Sequence, residues 1–424
     1  MRRIYLDHAA TTPLDPEVLE AMLPYLRDDF GNPSSVHRFG QRARGAIDEA
    51  RARVAALIGA RDAEIVFTGS GTEADNLAVV GAIQASAAED CGTPRTDLVT
   101  SAIEHHAVLN SAKGLDRTKH RVTLARVFET GQIDLNDIEA ATDHRTALLS
   151  IMFANNETGV IQPIPEVVRM ARSRGALVHT DAVQGLGKIR IDVARLDVDL
   201  LTASAHKIYG PKGVGALYVR SGTRMTALIR GGSQERNRRA GTENVAAIVG
   251  FGKAAELAHS RLGEDSKGIA ELRNRLEAEL IAEGRGAVTR NGSDEQRIFS
   301  TTSLSFKGVS GEDLLIALDL AGIAVSTGAA CAAGSPEPSH VLKAMGLSRE
   351  RVNSSLRFSP RPRHDAGRDR PHRRSRNHGR RAAAKRSRIG FGAGDGVRTR
   401  DTELGKLVLY QLSYARSGRS TLGY

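Results

Sequence analysis

Lys207 stands in the stretch TASAHKIYGPKGVG, directly after an apolar run and a histidine, with a second lysine, Lys212, in the turn that follows. Lysines are mostly exposed, so one set among small residues at a strand end is either an ordinary surface residue or an amine that does chemistry. A partly desolvated lysine can lose its proton near neutral pH and form a Schiff base with an aldehyde. Upstream, Asp181 closes the run VHTD. Alone, Asp181 reads better as a helix N-cap after a strand. Together the two residues meet the needs of pyridoxal phosphate. That cofactor takes a lysine on its aldehyde and a carboxylate beside its pyridine nitrogen, which keeps the ring protonated and able to accept electrons.

Three further stretches could serve the same site. FTGSGTEADN (67–76) is a strand, a glycine-rich turn and a helix start, an arrangement whose free amides suit a single phosphate. It lacks the lysine of a P-loop and the third glycine of a dinucleotide fingerprint. IEHHAV places His105 just past another strand, where an imidazole can stack on a flat ring or shuttle a proton. His106 beside it reads as a loop histidine, and two histidines without a third ligand make a poor metal site. Cys331 lies in VSTGAACAAGSPEPSHV, a Gly/Ala/Ser-rich loop with no apolar periodicity to bury it. A free cysteine is more often a small buried hydrophobe than a nucleophile, but these neighbours favour a reactive thiol. Cys91, in a polar loop, reads as incidental.

The elements that must position these residues alternate. Candidate strands cover 64–68, 97–101, 146–152, 176–181, 199–204 and 215–219, with helices over 41–59, 73–88 and 165–175 between them. Such alternation predicts an α/β fold with a mostly parallel sheet covered on both faces, whose carboxyl edge binds ligands. After about residue 260 the rhythm changes to a charged helix (264–284), TTSLSF (301–306), a helix over 311–322, IAVST (323–327) and SSLRFS (354–359), which suggests a smaller α+β domain. The expected division is a large domain at 15–258, a small one from 1–14 and 259–359, and a tail from 360.

Length and composition fit an enzyme of this size. The 424 residues contain two cysteines, too few for a disulfide framework, which together with the absence of a signal-like start suggests a reducing cytoplasm. No apolar run is long enough to span a membrane. The net charge of +11 comes from the tail: residues 360–424 hold 17 Lys and Arg against 5 Asp and Glu, leaving 43 against 44 in the rest. Nucleic-acid binding is therefore expected of the tail alone.

These residues together resemble the cysteine desulfurases, pyridoxal-phosphate enzymes of the class V aminotransferase group with fold type I. The resemblance covers residues 4–359 and rests on YLDHAATTP, FGNPSSVHRFG, NNETGVIQPI, HTDAVQGLGK, SAHKIYGPKGVGALYV, RAGTENV, the Cys331 stretch and EPSHVLKAMG. It implies that Lys207 carries the cofactor, Asp181 pairs with its ring nitrogen and His105 stacks on the ring. Gln184 and Asn156 lie at its edge, and Gly71, Thr72, Ser204 and His206 hold the phosphate, with Thr242 reaching in from a second subunit of a homodimer. Arg357 clamps the substrate carboxylate, as a guanidinium fork suits, and Asn32 lies near that carboxylate. Cys331 takes the sulfur of L-cysteine as a persulfide, releasing L-alanine, and hands it to an acceptor such as an iron–sulfur scaffold or a tRNA-thiolating enzyme. No resident metal is expected, and contact of Cys331 with an iron–sulfur cluster is confined to transfer. Selenocysteine lyase and aminotransferase activities are the neighbouring alternatives. The family continues after RFS with Leu-Gly-Arg and a long amphipathic helix. Here the chain reads PRPRHDAGRDRPHRRS, as expected of a disordered basic tail or a slipped reading frame.

Overall fold

The computed structural model describes residues 3–88, 94–328 and 338–360. Both cysteines and the tail lie outside these residues. In chain order the strands are β1 (Ile4–Tyr5), β2 (Ile65–Thr68), β3 (Asp97–Ser101), β4 (Val122–Ala125), β5 (Thr146–Ser150), β6 (Leu177–Asp181), β7 (Leu200–Ser204), β8 (Gly215–Val219), β9 (Val288–Arg290), β10 (Thr302–Phe306), β11 (Ile323–Ala324) and β12 (Ser355–Phe358). Seven of them form one sheet in the order β2-β8-β7-β6-β5-β3-β4. Its pairings from β7 to β4 are parallel, and β8 runs antiparallel to both β7 and β2.

The predicted parallel sheet is therefore present, and its central strands are buried throughout, as a sheet covered on both faces requires. One apolar cluster packs helices Arg38–Ile58, Ile164–Arg174 and the start of Val245–Glu283 against one face, through residues such as Ile47, Val168 and Phe251. A second, around Leu77, Ile83 and Val108, covers the other. The sequence rhythm misses β4, whose side chains are partly exposed along its length up to Ala125. It also begins one helix too late: where a charged helix is expected from 264, a single 39-residue helix runs from Val245 to Glu283. β9, β10 and β12 form a separate antiparallel sheet over Leu304, Phe306, Leu356 and Phe358.

The N-terminal arm joins the two sheets. β1 pairs with β11, and Asp7 bridges Ser359 just after β12. Further on, Thr12 donates to the carbonyl of His206, beside Lys207. One short segment thus touches the carboxyl edge of the large sheet and the end of the small one.

Candidate active site

β7 ends at Ser204 and leads into a single 3-10 turn, Ala205–Lys207, which brings the lysine back over the sheet edge. Its Nζ donates to the carbonyls of Ala9 and Ala10 at 2.6 and 2.7 Å. β6, the parallel neighbour, ends at Asp181 with Asp181 opposite Thr202. The Asp181 carboxylate accepts from Val183 N–H at 2.9 Å, so it caps the following turn as well as facing the site. Burial pushes its carboxyl up to about 6, while that amide and the nearby Lys207 pull the other way.

Beyond β2, Ser70 caps the helix beginning at Gly71 by accepting from Glu73 N–H. Gly71 lies against Ser204 and Val183: a Cβ on it would stand 3.3 Å from both side chains. Glycine at 71 thus lets the start of this helix approach the Ser204 side chain closely, and a hydroxyl beside a helix start has the donor character a phosphate needs. Thr72 is exposed on the first turn, and His206 Nδ1 meets Thr11 Oγ1 at 3.1 Å. Burial and the cations Lys207, Lys212 and Lys188 hold His206 down to about 4, so it is neutral at pH 7.

His105 caps helix His106–Lys113, its Nδ1 accepting from Ala107 N–H, which leaves Nε2 as the protonated nitrogen of a neutral ring. Burial first, then Lys207, lowers it to about 4. His106 is a helix residue rather than a loop one, its ring 4.6 Å from that of His340.

On the far side, Arg357 projects from β12. Its Nη2 binds Asp7 Oδ1 at 2.7 Å and Nη1 binds the carbonyl of Asn156 at 2.8 Å. Asn156 Oδ1 and Arg357 Nε are buried with no hydrogen-bond partner among the described residues. Orphaned polar atoms of this kind call for a ligand. They fit a polar cofactor and an amino-acid carboxylate, as does the carboxylate of Asp181.

The structure adds residues that sequence reasoning passed over. Glu104 is fully buried beside His105, its Oε1 held by Ser101 Oγ and Met152 N–H, and burial raises it to about 8. Asp75 and His179 lie buried behind Asp181, and burial drives Asp75 up and His179 down to about 3. Lys188 donates to Gln184 Oε1 at 2.8 Å, and burial, then Lys207 and Arg357, lowers it to about 7. Glu157 accepts from Ser339 Oγ and lies against Gly328, so one buried carboxyl touches both stems of the segment that carries Cys331. Asn32 and Thr242 are exposed, Asn32 accepting from Ser34 N–H. Cys331 itself lies outside the described residues.

A mostly parallel sheet with a lysine and a carboxylate at its carboxyl edge fits the pyridoxal-phosphate enzymes of fold type I. The model of the family described as Aminotransferase class-V matches residues 4–362. A cysteine desulfurase of Trichormus azollae is 48% identical over 359 residues, 85% of this chain and 88% of that one. A solved NifS-like protein superposes with a TM-score of 0.78 at 37% identity, covering 85% of this chain and 94% of the other. A structure titled SspA in complex with cysteine gives 0.74 at 36%, over 85% and 99%. The chain belongs to the class-V aminotransferase family and, within it, to the pyridoxal-phosphate-dependent cysteine desulfurases.

Proposed function

We propose that the residues gathered at this sheet edge divide the desulfuration of L-cysteine among themselves. Lys207 holds the cofactor and moves the substrate Cα proton. Asp181 faces the ring nitrogen, His105 lies on the ring, and Gln184 and Asn156 meet its edge. Gly71, Thr72, Ser204 and His206 receive the phosphate. When bound, pyridoxal phosphate supplies an electron sink conjugated to the substrate Cα.

The observation that carries this reading is the proximity of charges from two sheets: Lys207 acts on the carboxyl of Asp181, and Lys207 and Arg357 both act on Lys188. Lys207 is parked on two carbonyls that accept protons' hydrogen bonds but cannot take the proton itself, so the amine keeps its place while detached from the cofactor. Arg357 exchanges Asp7 for the substrate carboxylate, a bidentate partner better matched to a guanidinium. Asn32 flanks that carboxylate. Cys331 attacks the substrate sulfur as a thiolate: the S–S bond forms as the C–S bond breaks, and protonation of the remaining fragment yields alanine.

The same reading has Thr242 completing the phosphate site of a second subunit. Phe30 and Phe39 support a homodimer: they stack 5.6 Å apart, with Phe30 77% exposed near exposed Val36. It takes residues 15–258 as the cofactor-binding domain and 1–14 with 259–359 as the smaller one. The acceptor is a sulfur-carrying protein in the cytoplasm. Loaded protein given L-cysteine and a thiol reductant should release alanine and sulfide in equal amounts. Cys331→Ala should keep the cofactor's absorbance and release neither; alanine release at the parental rate would overturn the assignment.

A further inference from the structure

The turn after β6 carries two polar side chains four residues apart, Gln184 and Lys188. Bonds from Gly185 and Leu186 N–H to Ala182, and from Lys188 and Ile189 N–H to Gly185, wind it into helical turns. Positions i and i+4 then lie side by side. Gly187, at φ 66°, lets this turn press on the loop bearing Lys207: a Cβ there would stand 2.9 Å from Ile208 Cγ2.

Lys188 Nζ donates to Gln184 Oε1 at 2.8 Å, and Gln184 Nε2 donates to the Ala9 carbonyl at 3.0 Å. That same carbonyl takes the Lys207 amine at 2.6 Å. The Gln184 carboxamide is therefore gripped at both ends. Its oxygen faces a donor, and its nitrogen faces a carbonyl that only accepts. The nitrogen end is thereby fixed beside the Lys207 amine, with a second N–H to give. Without Lys188, the buried Oε1 loses its donor, and the amide is held at one end only.

We propose that Lys188 is a positioning residue, which holds the Gln184 carboxamide as a hydrogen-bond donor toward the ring oxygen of the bound cofactor. The proposal rests on the reading that Gln184 meets that ring. A donor at the ring oxygen competes with the proton on the neighbouring nitrogen, so the bound cofactor titrates lower when the donor is in place.

The test is the absorbance of the full chain loaded with pyridoxal phosphate, followed against pH with no substrate present. Lys188→Met should raise the midpoint by about half a unit to one unit, and Lys188→Arg, which keeps a donor, should bring it back. Gln184→Leu should raise it in the same direction, and the double variant should move no further than the larger single, as members of one chain do. Lys188→Leu is made alongside, and whichever apolar variant keeps the parental melting temperature is read. If Gln184→Leu shifts the midpoint and the Lys188 variants do not, Lys188 has no positioning role, while the reading of Gln184 stands. If neither shifts it, the contact between Gln184 and the ring is itself wrong, and the proposal falls with it. Additive shifts would mean that Lys188 acts as a charge through space, which also overturns the proposal.

Discussion

The two sides of the site are built differently. In the proposed reading, the cofactor side takes Gly71, Asp181, Ser204 and Lys207 from the ends of three strands in one sheet, so backbone pairing sets their spacing. The substrate side brings together Asp7, Asn156 and Arg357 from three remote segments, joined by side-chain bonds and the bridge from Asp7 to Ser359. The first is rigid because a buried sheet is rigid. The second is a set of exchangeable polar contacts, which suits a site that must admit a substrate and release a product.

Variants on the two sides should therefore fail in different ways. Lys207→Arg should have the largest effect, lowering alanine production by at least about a thousandfold and removing the lysine-linked absorbance of the cofactor. A variant that kept that absorbance would break the distinction. Arg357→Ala should leave the spectrum unchanged and lower kcat/KM for L-cysteine by about a hundredfold, the scale of a lost charge-assisted pair. Steady-state kinetics at several cysteine concentrations separates the two cases.

Glu157→Gln sharpens the contrast further, since Glu157 touches the stems beside Gly328 and Ser339 and not the sheet edge. The expected loss is roughly tenfold in alanine release with an unaltered cofactor spectrum. A changed spectrum would place Glu157 on the cofactor side instead.

Glu104→Gln should act least on turnover and most on pH dependence. The fold raises this carboxyl from its ordinary 4.5 to about 8. Its stabilising contribution is thus complete below pH 4.5 and is lost as pH rises through about 8. The neutral amide has no such loss, so the melting temperature of the variant should gain on the parent across that interval. Parallel curves would show that Glu104 is ionised in the fold.

The cofactor side was largely legible in the sequence because its signals are local: an apolar run, then a small residue, then Asp or Lys. The same locality made the strands readable except β1, β4 and β9: β1 and β9 are only two and three residues long, and exposed Leu124 with its polar neighbours gives β4 no buried pattern. The helix from Val245 is legible only from 264, because its first turns are an apolar stretch rich in Ala and Gly that lacks the charged pattern of its second half. The pairing of Asp7 with Arg357 spans 350 residues and leaves no local mark. Lys188 and Glu104 carry the faintest signals, a lysine four residues after Gln184 and a glutamate next to His105. Either reads as a surface charge until the fold buries it.

The most direct measurement traps the cofactor where it is bound. Loaded full-length protein is reduced with borohydride, digested, and its peptides are mapped by mass. The cofactor's mass should be found on Lys207 and be absent from Lys188, which lines the same pocket, and from Lys212 in the turn that follows. A label on either of those lysines, or on none, would contradict the assignment of Lys207 as the amine that holds the ring.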